Sequence, residues 1–137
     1  MPRKLLCLLP CALLTLASCS QSRYPVEGKV TLDGKPLKTG TVVFWSGDAK
    51  AERSARLPQS QIREDGKYAL YTERAEGAPV GTYKVTVLAE ERADSTKPEK
   101  PKLLVPKKYT QPETTPLSIK VVQFPDTGAY DLNLSRE

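Results

Sequence analysis

Over residues 24–32 the apolar set Tyr24, Val26, Val30 and Leu32 alternates with Pro25, Glu27, Lys29 and Thr31, the two-residue period of a strand with one buried and one wet face. Gly28 falls on the inward side of that pattern. Asp33-Gly34 carries turn chemistry, and a second strand runs through Val42, Val43, Phe44 and Trp45. These first two strands are expected to pair or to lie side by side. The polar stretch 46–60 reads as a long loop whose centre, 49–57, holds at most a turn or two of helix. Ile62 and the run Tyr68-Ala69-Leu70-Tyr71 flank Glu64-Asp65-Gly66, where glycine accepts the positive φ of a tight hairpin. Residues 77–81 form another turn region, followed by Tyr83, Val85 and Val87 alternating with Lys84 and Thr86 in a strand that ends near Ala89. Residues 90–102 are charged and broken by Pro98 and Pro101, which predicts a solvated loop, and 103–105 predicts a short edge strand closed by Pro106. Leu117, Ile119 and Val121, then Tyr130, Leu132 and Leu134, mark the last two strands. About seven short strands at turn spacings of roughly 8–12 residues, with no amphipathic helix, predict an all-β fold, an antiparallel immunoglobulin-like β-sandwich.

Composition narrows the function classes. A chain of 137 residues that is 39% hydrophobic holds one core. The formal charge of +5 is too mild and too scattered for a nucleic-acid footprint, so no nucleic-acid partner is expected. The absence of histidine removes the usual general base, the Ser-His-Asp and Cys-His arrangements, and the commonest zinc and haem ligand. No Gly-x-Ser-x-Gly or Ser-x-x-Lys pattern nominates a nucleophile. The expectation is a protein that is not an enzyme and needs no cofactor and no metal.

The N-terminus supplies an address. Arg3 and Lys4 precede residues 5–17, which carry no charge and are mostly Leu, Ala and Cys, the pattern of an export signal. At roughly thirteen residues the run is shorter than the ~20 a membrane span requires. Its end, Leu16-Ala17-Ser18-Cys19, resembles the bacterial lipobox. By that resemblance signal peptidase II cuts between Ser18 and Cys19. The Cys19 sulfur then carries a diacylglyceryl group and the new amino group a further acyl chain such as palmitate. The other reading is an ordinary secretory peptide that leaves Cys19 as a free thiol. Cys7 and Cys11 lie within the leader and no cysteine follows Cys19, so a disulfide role is closed to it. Each buried methylene contributes about 0.8 kcal/mol, and two or more chains anchor a protein stably. The expected division is 1–18 leader, 19–23 lipidated tether and 24–137 one domain. Ser20 is not the Asp that resembles an inner-membrane retention signal, which favours the outer membrane.

Val26-Glu27-Gly28-Lys29-Val30-Thr31, Asp33-Gly34-Lys35-Pro36-Leu37, Gly40-Thr41-Val42-Val43-Phe44, Asp65-Gly66-Lys67-Tyr68 and Gly81-Thr82-Tyr83-Lys84-Val85-Thr86-Val87 occur in that order. Together they resemble the carboxypeptidase regulatory-like, or transthyretin/prealbumin-like, β-sandwich of bacterial envelope proteins. The stretch from Leu104-Val105-Pro106 to Tyr130-Asp131-Leu132-Asn133-Leu134 is similar to the tail of small lipoproteins built on that fold. The resemblance implies a fold and a non-catalytic role. A hydroxyisourate hydrolase of transthyretin type relies on histidines and a terminal Tyr-Arg-Gly-Ser, whereas residues 134–137 read Leu-Ser-Arg-Glu.

Few residues remain as site candidates. Trp45 points away from Phe44 and, near Tyr71, could form an aromatic platform that stacks on a sugar; alternatively it covers the end of the core under the 46–60 loop. Tyr109 is open to the same two readings. Lys97, Lys100, Lys102, Lys107 and Lys108, with only Glu99 among them, make a basic run that reads as a solvated loop or as a contact with an anionic bilayer. The tether 19–23 reaches only about 17 Å at roughly 3.3 Å per residue. Asp33-Gly34 and Asp65-Gly66 lack the alternating acidic ligands of a calcium loop and read as turns. The sequence thus predicts a lipoprotein of the bacterial envelope held on a bilayer through Cys19. It would act as a structural or protein-interaction module toward an unidentified envelope protein, with glycan binding through Trp45 and Tyr71 as the alternative.

Overall fold

A computed structural model describes residues 21–47, 57–91, 96 and 100–137 of the chain. Among them the strands, in chain order, are β1 (Arg23–Tyr24), β2 (Glu27–Leu32), β3 (Lys35–Pro36), β4 (Thr41–Trp45), β5 (Gln59–Gln61) and β6 (Lys67–Ala69). They continue as β7 (Tyr71–Thr72), β8 (Ala75–Glu76), β9 (Ala78–Pro79), β10 (Gly81–Leu88), β11 (Ser118–Val121) and β12 (Leu132–Leu134). A single 3₁₀ turn, Lys107–Thr110, is the only helical element described. The fold is an all-β sandwich. Its strands outnumber the expected seven because Pro25 and the turns within 70–80 cut long apolar runs into short pieces. The expected helical centre, 49–57, lies almost entirely outside the described residues.

One layer is a six-stranded sheet in the order β11-β10-β4-β5-β7-β8. The other is centred on β2, which has β12 on one edge and β3 and β6 sharing the opposite edge. A two-stranded ladder of β1 and β9 joins them. Every ladder is antiparallel except β12 on β2, which runs parallel with Leu132, Asn133 and Leu134 beside Val30, Thr31 and Leu32. The expectation that β2 and β4 pair is not met. Both edges of β2 are taken, as are those of β4 by β10 and β5, and residues 37–40, with Leu37 buried, carry the chain from one layer to the other.

The alternation seen in the sequence becomes burial. Val42 and Phe44 of β4, Val85 and Val87 of β10, Val121 of β11, and Val30 and Leu132 of the second layer are almost fully enclosed, each contributing about 1.5–3 kcal/mol. The Phe44 ring bridges the layers, lying 6.4 Å from Tyr68 and 5.7 Å from Tyr83, centroid to centroid. Asp33 and Gly34, with φ of 50° and 80°, form the positive-φ pair that a tight hairpin between β2 and β3 requires. The Glu64-Asp65-Gly66 turn is closed by the Arg63 amide on the Lys67 carbonyl, after which β5 and β6 diverge into different sheets.

Gly28 sits at a close approach within the second layer. A Cβ there would stand 2.2 Å from the Tyr130 carbonyl oxygen and 2.9 Å from the Tyr68 ring. The Tyr68 hydroxyl donates to that same carbonyl. Four of the tyrosines use their hydroxyls in this manner. Tyr83 donates to the Pro79 carbonyl, Tyr109 bridges the carbonyl and amide of Ser135, and Tyr130 does the same at Val122. No buried side-chain nitrogen or oxygen among the described residues lacks a partner.

The registers define two ends. Gly81 pairs with Val121 and Arg23 pairs with Pro79, so the incoming chain, residues 79–81 and the loop after β11 share one end. Leu88 pairs with Thr41 at the other end. That end also holds the Asp33-Gly34 turn, which receives the Arg136 side chain at 3.0 Å, and the Tyr109 and Ser135 pair. Seven steps along β10 separate the two by about 23 Å.

Two predictions follow from the tight junction. Gly28→Ala should cost at least about 2–3 kcal/mol, because the neighbour it strikes is main chain; an unchanged urea midpoint would refute this. Burial, then the charges of Asp131 and Tyr130, push the Tyr68 hydroxyl well above the ordinary tyrosine value of 10. The unfolded chain therefore releases this proton first, and stability should fall as pH rises past about 10. Tyr68→Phe should lose about 1–3 kcal/mol at neutral pH yet decline less steeply in alkali, whereas parallel pH profiles for the two proteins would contradict the assignment.

Candidate functional site

Ser18 and Cys19, the residues on which the lipidation expectation falls, lie outside the described residues. The chain enters the description at exposed Gln21 and Ser22 and is fixed at Arg23 by the β1–β9 ladder. Among the described residues no helix is long and apolar enough to cross a membrane, and no group of three or more acidic, histidine or cysteine side chains gathers as a metal site.

Trp45 and Tyr71 lie on the same outer face of the six-stranded sheet but do not form one platform. Val43, Gln59 and Tyr71 align across β4, β5 and β7, whereas Trp45 stands two residues further along β4, opposite Lys84 of β10. The indole Nε1 donates to Thr86 Oγ1 at 2.9 Å, which ties the ring toward β10 on the side away from Tyr71. Trp45 is half-buried and Thr86 beneath it is buried, while Tyr71 remains 47% exposed. Tyr109 is buried, its hydroxyl engaged at Ser135 and the Lys108 ammonium 5.1 Å from its ring centre.

Two shallow grooves meet at Arg63 and Ala69. One, of about 520 Å³, is bordered by Thr41, Gln59, Gln61, Arg63 and Tyr71. The other, of about 370 Å³, is bordered by Glu27, Lys29, Arg63, Lys67, Thr127 and Asp131. One oxygen of the Asp131 carboxylate accepts the Lys29 amide at 2.9 Å, which ties the loop before β12 to β2. Polar side chains and one tyrosine line these grooves, and among the described residues they gather no nucleophile paired to a base.

The basic run does not accompany the tether. The Lys102 carbonyl accepts the Glu91 amide just past β10, and Lys108 donates to the Glu137 main-chain oxygen, so these lysines sit at the end opposite Arg23. Lys97 is outside the described residues. Sequence reasoning passed over the loop after β11. There Phe124 is 85% exposed, beside exposed Pro125, at the same end as Val80, which is 53% exposed. The available signal was a phenylalanine within a Pro-Asp-Thr-Gly loop, where burial is not expected.

Trp45 fluorescence checks the placement of the indole. Emission should lie to the blue of free tryptophan with partial quenching by iodide. Thr86→Val should increase the quenching and cost on the order of 1 kcal/mol. Quenching of the parent equal to that of free tryptophan would place the indole in solvent.

Compared with models of protein families, with curated proteins and with solved structures, the chain finds no match in any of the three.

Proposed function

We propose that this protein is a lipoprotein of the bacterial envelope, anchored through acylated Cys19, whose carboxypeptidase regulatory-like sandwich acts as a non-catalytic structural or protein-interaction module. The observation that carries the proposal is Leu16-Ala17-Ser18-Cys19 at the close of an uncharged leader, with no other cysteine beyond it. The body behind it supports the reading. It is a strand sandwich whose N-terminal strand leaves from one end, so a short tether suffices to present it at a surface. A sequence without histidine and grooves without a paired nucleophile favour binding over catalysis. Glycan binding has narrower support, since Trp45 is turned toward Thr86 and Tyr71 is left as the single exposed ring of that pair. Ser20, in place of an Asp after the cysteine, favours the outer over the inner membrane.

Cys19→Ala should move the protein from the membrane fraction to the soluble fraction, and intact mass of the parent should show an acylated chain beginning at Cys19. A variant that stays as firmly on the membrane as the parent would overturn the anchor.

A further inference from the structure

The end of the sandwich at which Arg23 arrives carries Phe124, the most exposed of the large apolar side chains described. Gly81 and Val121 pair, and continuing that register brings Val80 beside Val122, with Phe124 and Pro125 just beyond. Phe44 is fully enclosed, yet Phe124 is 85% exposed, and neighbouring Val80 is 53% exposed. Arg23 pairs with Pro79, so the segment leading back to Cys19 leaves alongside Val80. The tether from Cys19 to Arg23 spans about 17 Å at full stretch.

We propose that this end is a bilayer-contact surface, with the Phe124 ring seated at headgroup depth and the sandwich standing upright on the membrane. The proposal rests on the lipid-anchor reading. Burying one phenyl ring gives a preference of on the order of ten- to a hundredfold, too small to hold a free protein on a membrane. A short tether supplies an effective concentration in the millimolar range, at which so weak a contact is occupied. Arg23 at this end adds a cation beside anionic headgroups, and Asp126 on the same loop opposes it, so apolar contact rather than charge sets the orientation. The described lysines of the basic run lie at the opposite end, held about 23 Å from the lipid by the length of β10.

A single thiol reporter tests the arrangement, because no cysteine follows Cys19. Gln123→Cys, adjacent to Phe124, and Leu88→Cys, at the far end, are labelled with the fluorophore NBD in the acylated protein. Each is added to preformed vesicles of phosphatidylethanolamine and phosphatidylglycerol, and the floated fraction is treated with dithionite. The label at position 123 should be reduced several-fold more slowly than that at 88, and Phe124→Ser should abolish the difference. Equal rates in floated protein would overturn the upright orientation while leaving the anchor intact, and would hand this surface to a protein partner or a second copy. A difference that survives Phe124→Ser would also overturn it. Protein that fails to float would remove the anchor and the orientation together.

Discussion

The missing side chain at Gly28 is what lets the second layer close. It admits the Tyr130 carbonyl to a distance no Cβ would tolerate, and that carbonyl is the acceptor for the Tyr68 hydroxyl. Tyr130 leads directly into β12, so the contact sets the height at which β12 meets β2 and thereby the burial of Leu132 and Leu134 against the core. Tyr68 in turn packs on Phe44 of the opposite layer. One glycine, one phenol and one main-chain oxygen therefore couple the parallel ladder to the sandwich interior. A larger residue at 28 displaces all three.

The remaining tyrosines extend the same solution to the edges. With no cysteine after Cys19 and no helix longer than one 3₁₀ turn among the described residues, the loops are held by other means. Here phenol rings supply apolar area while their hydroxyls satisfy main-chain groups at positions 79, 122 and 135. Thr115 does this from a loop, donating to the Val85 carbonyl at 2.7 Å. Among the described residues every buried side-chain polar atom is satisfied, and the most exposed large apolar side chain is Phe124 in the loop after β11.

Local patterns in the sequence were readable where local forces decide. The period of two located β2, β4, β10, β11 and β12, and Asp33-Gly34 announced its hairpin through the φ values it requires. Partnership between strands was not readable. Val30 and Leu132 meet across a separation of about a hundred residues, and nothing in either segment says that their ladder is parallel. The assumption that neighbours in sequence pair failed at β2 and β4 because buried Leu37 draws the intervening chain between layers. Among the candidate residues, alternation gave the face on which Trp45 lies, but its direction within that face depends on Thr86, contributed by a distant strand. Phe124 escaped notice since loop residues carry no period.

The late arrival of β12 has a consequence for how the molecule is made. The amide of Lys29 and the carboxylate of Asp131 that greets it are 102 residues apart, so this closure carries an entropic cost and forms only after the intervening chain has been made. Until then β2 offers an unpaired edge to its surroundings. An open edge of this kind is a template for pairing with a strand of another chain, so exchange of β12 between copies is the misassembly this topology exposes at high local density.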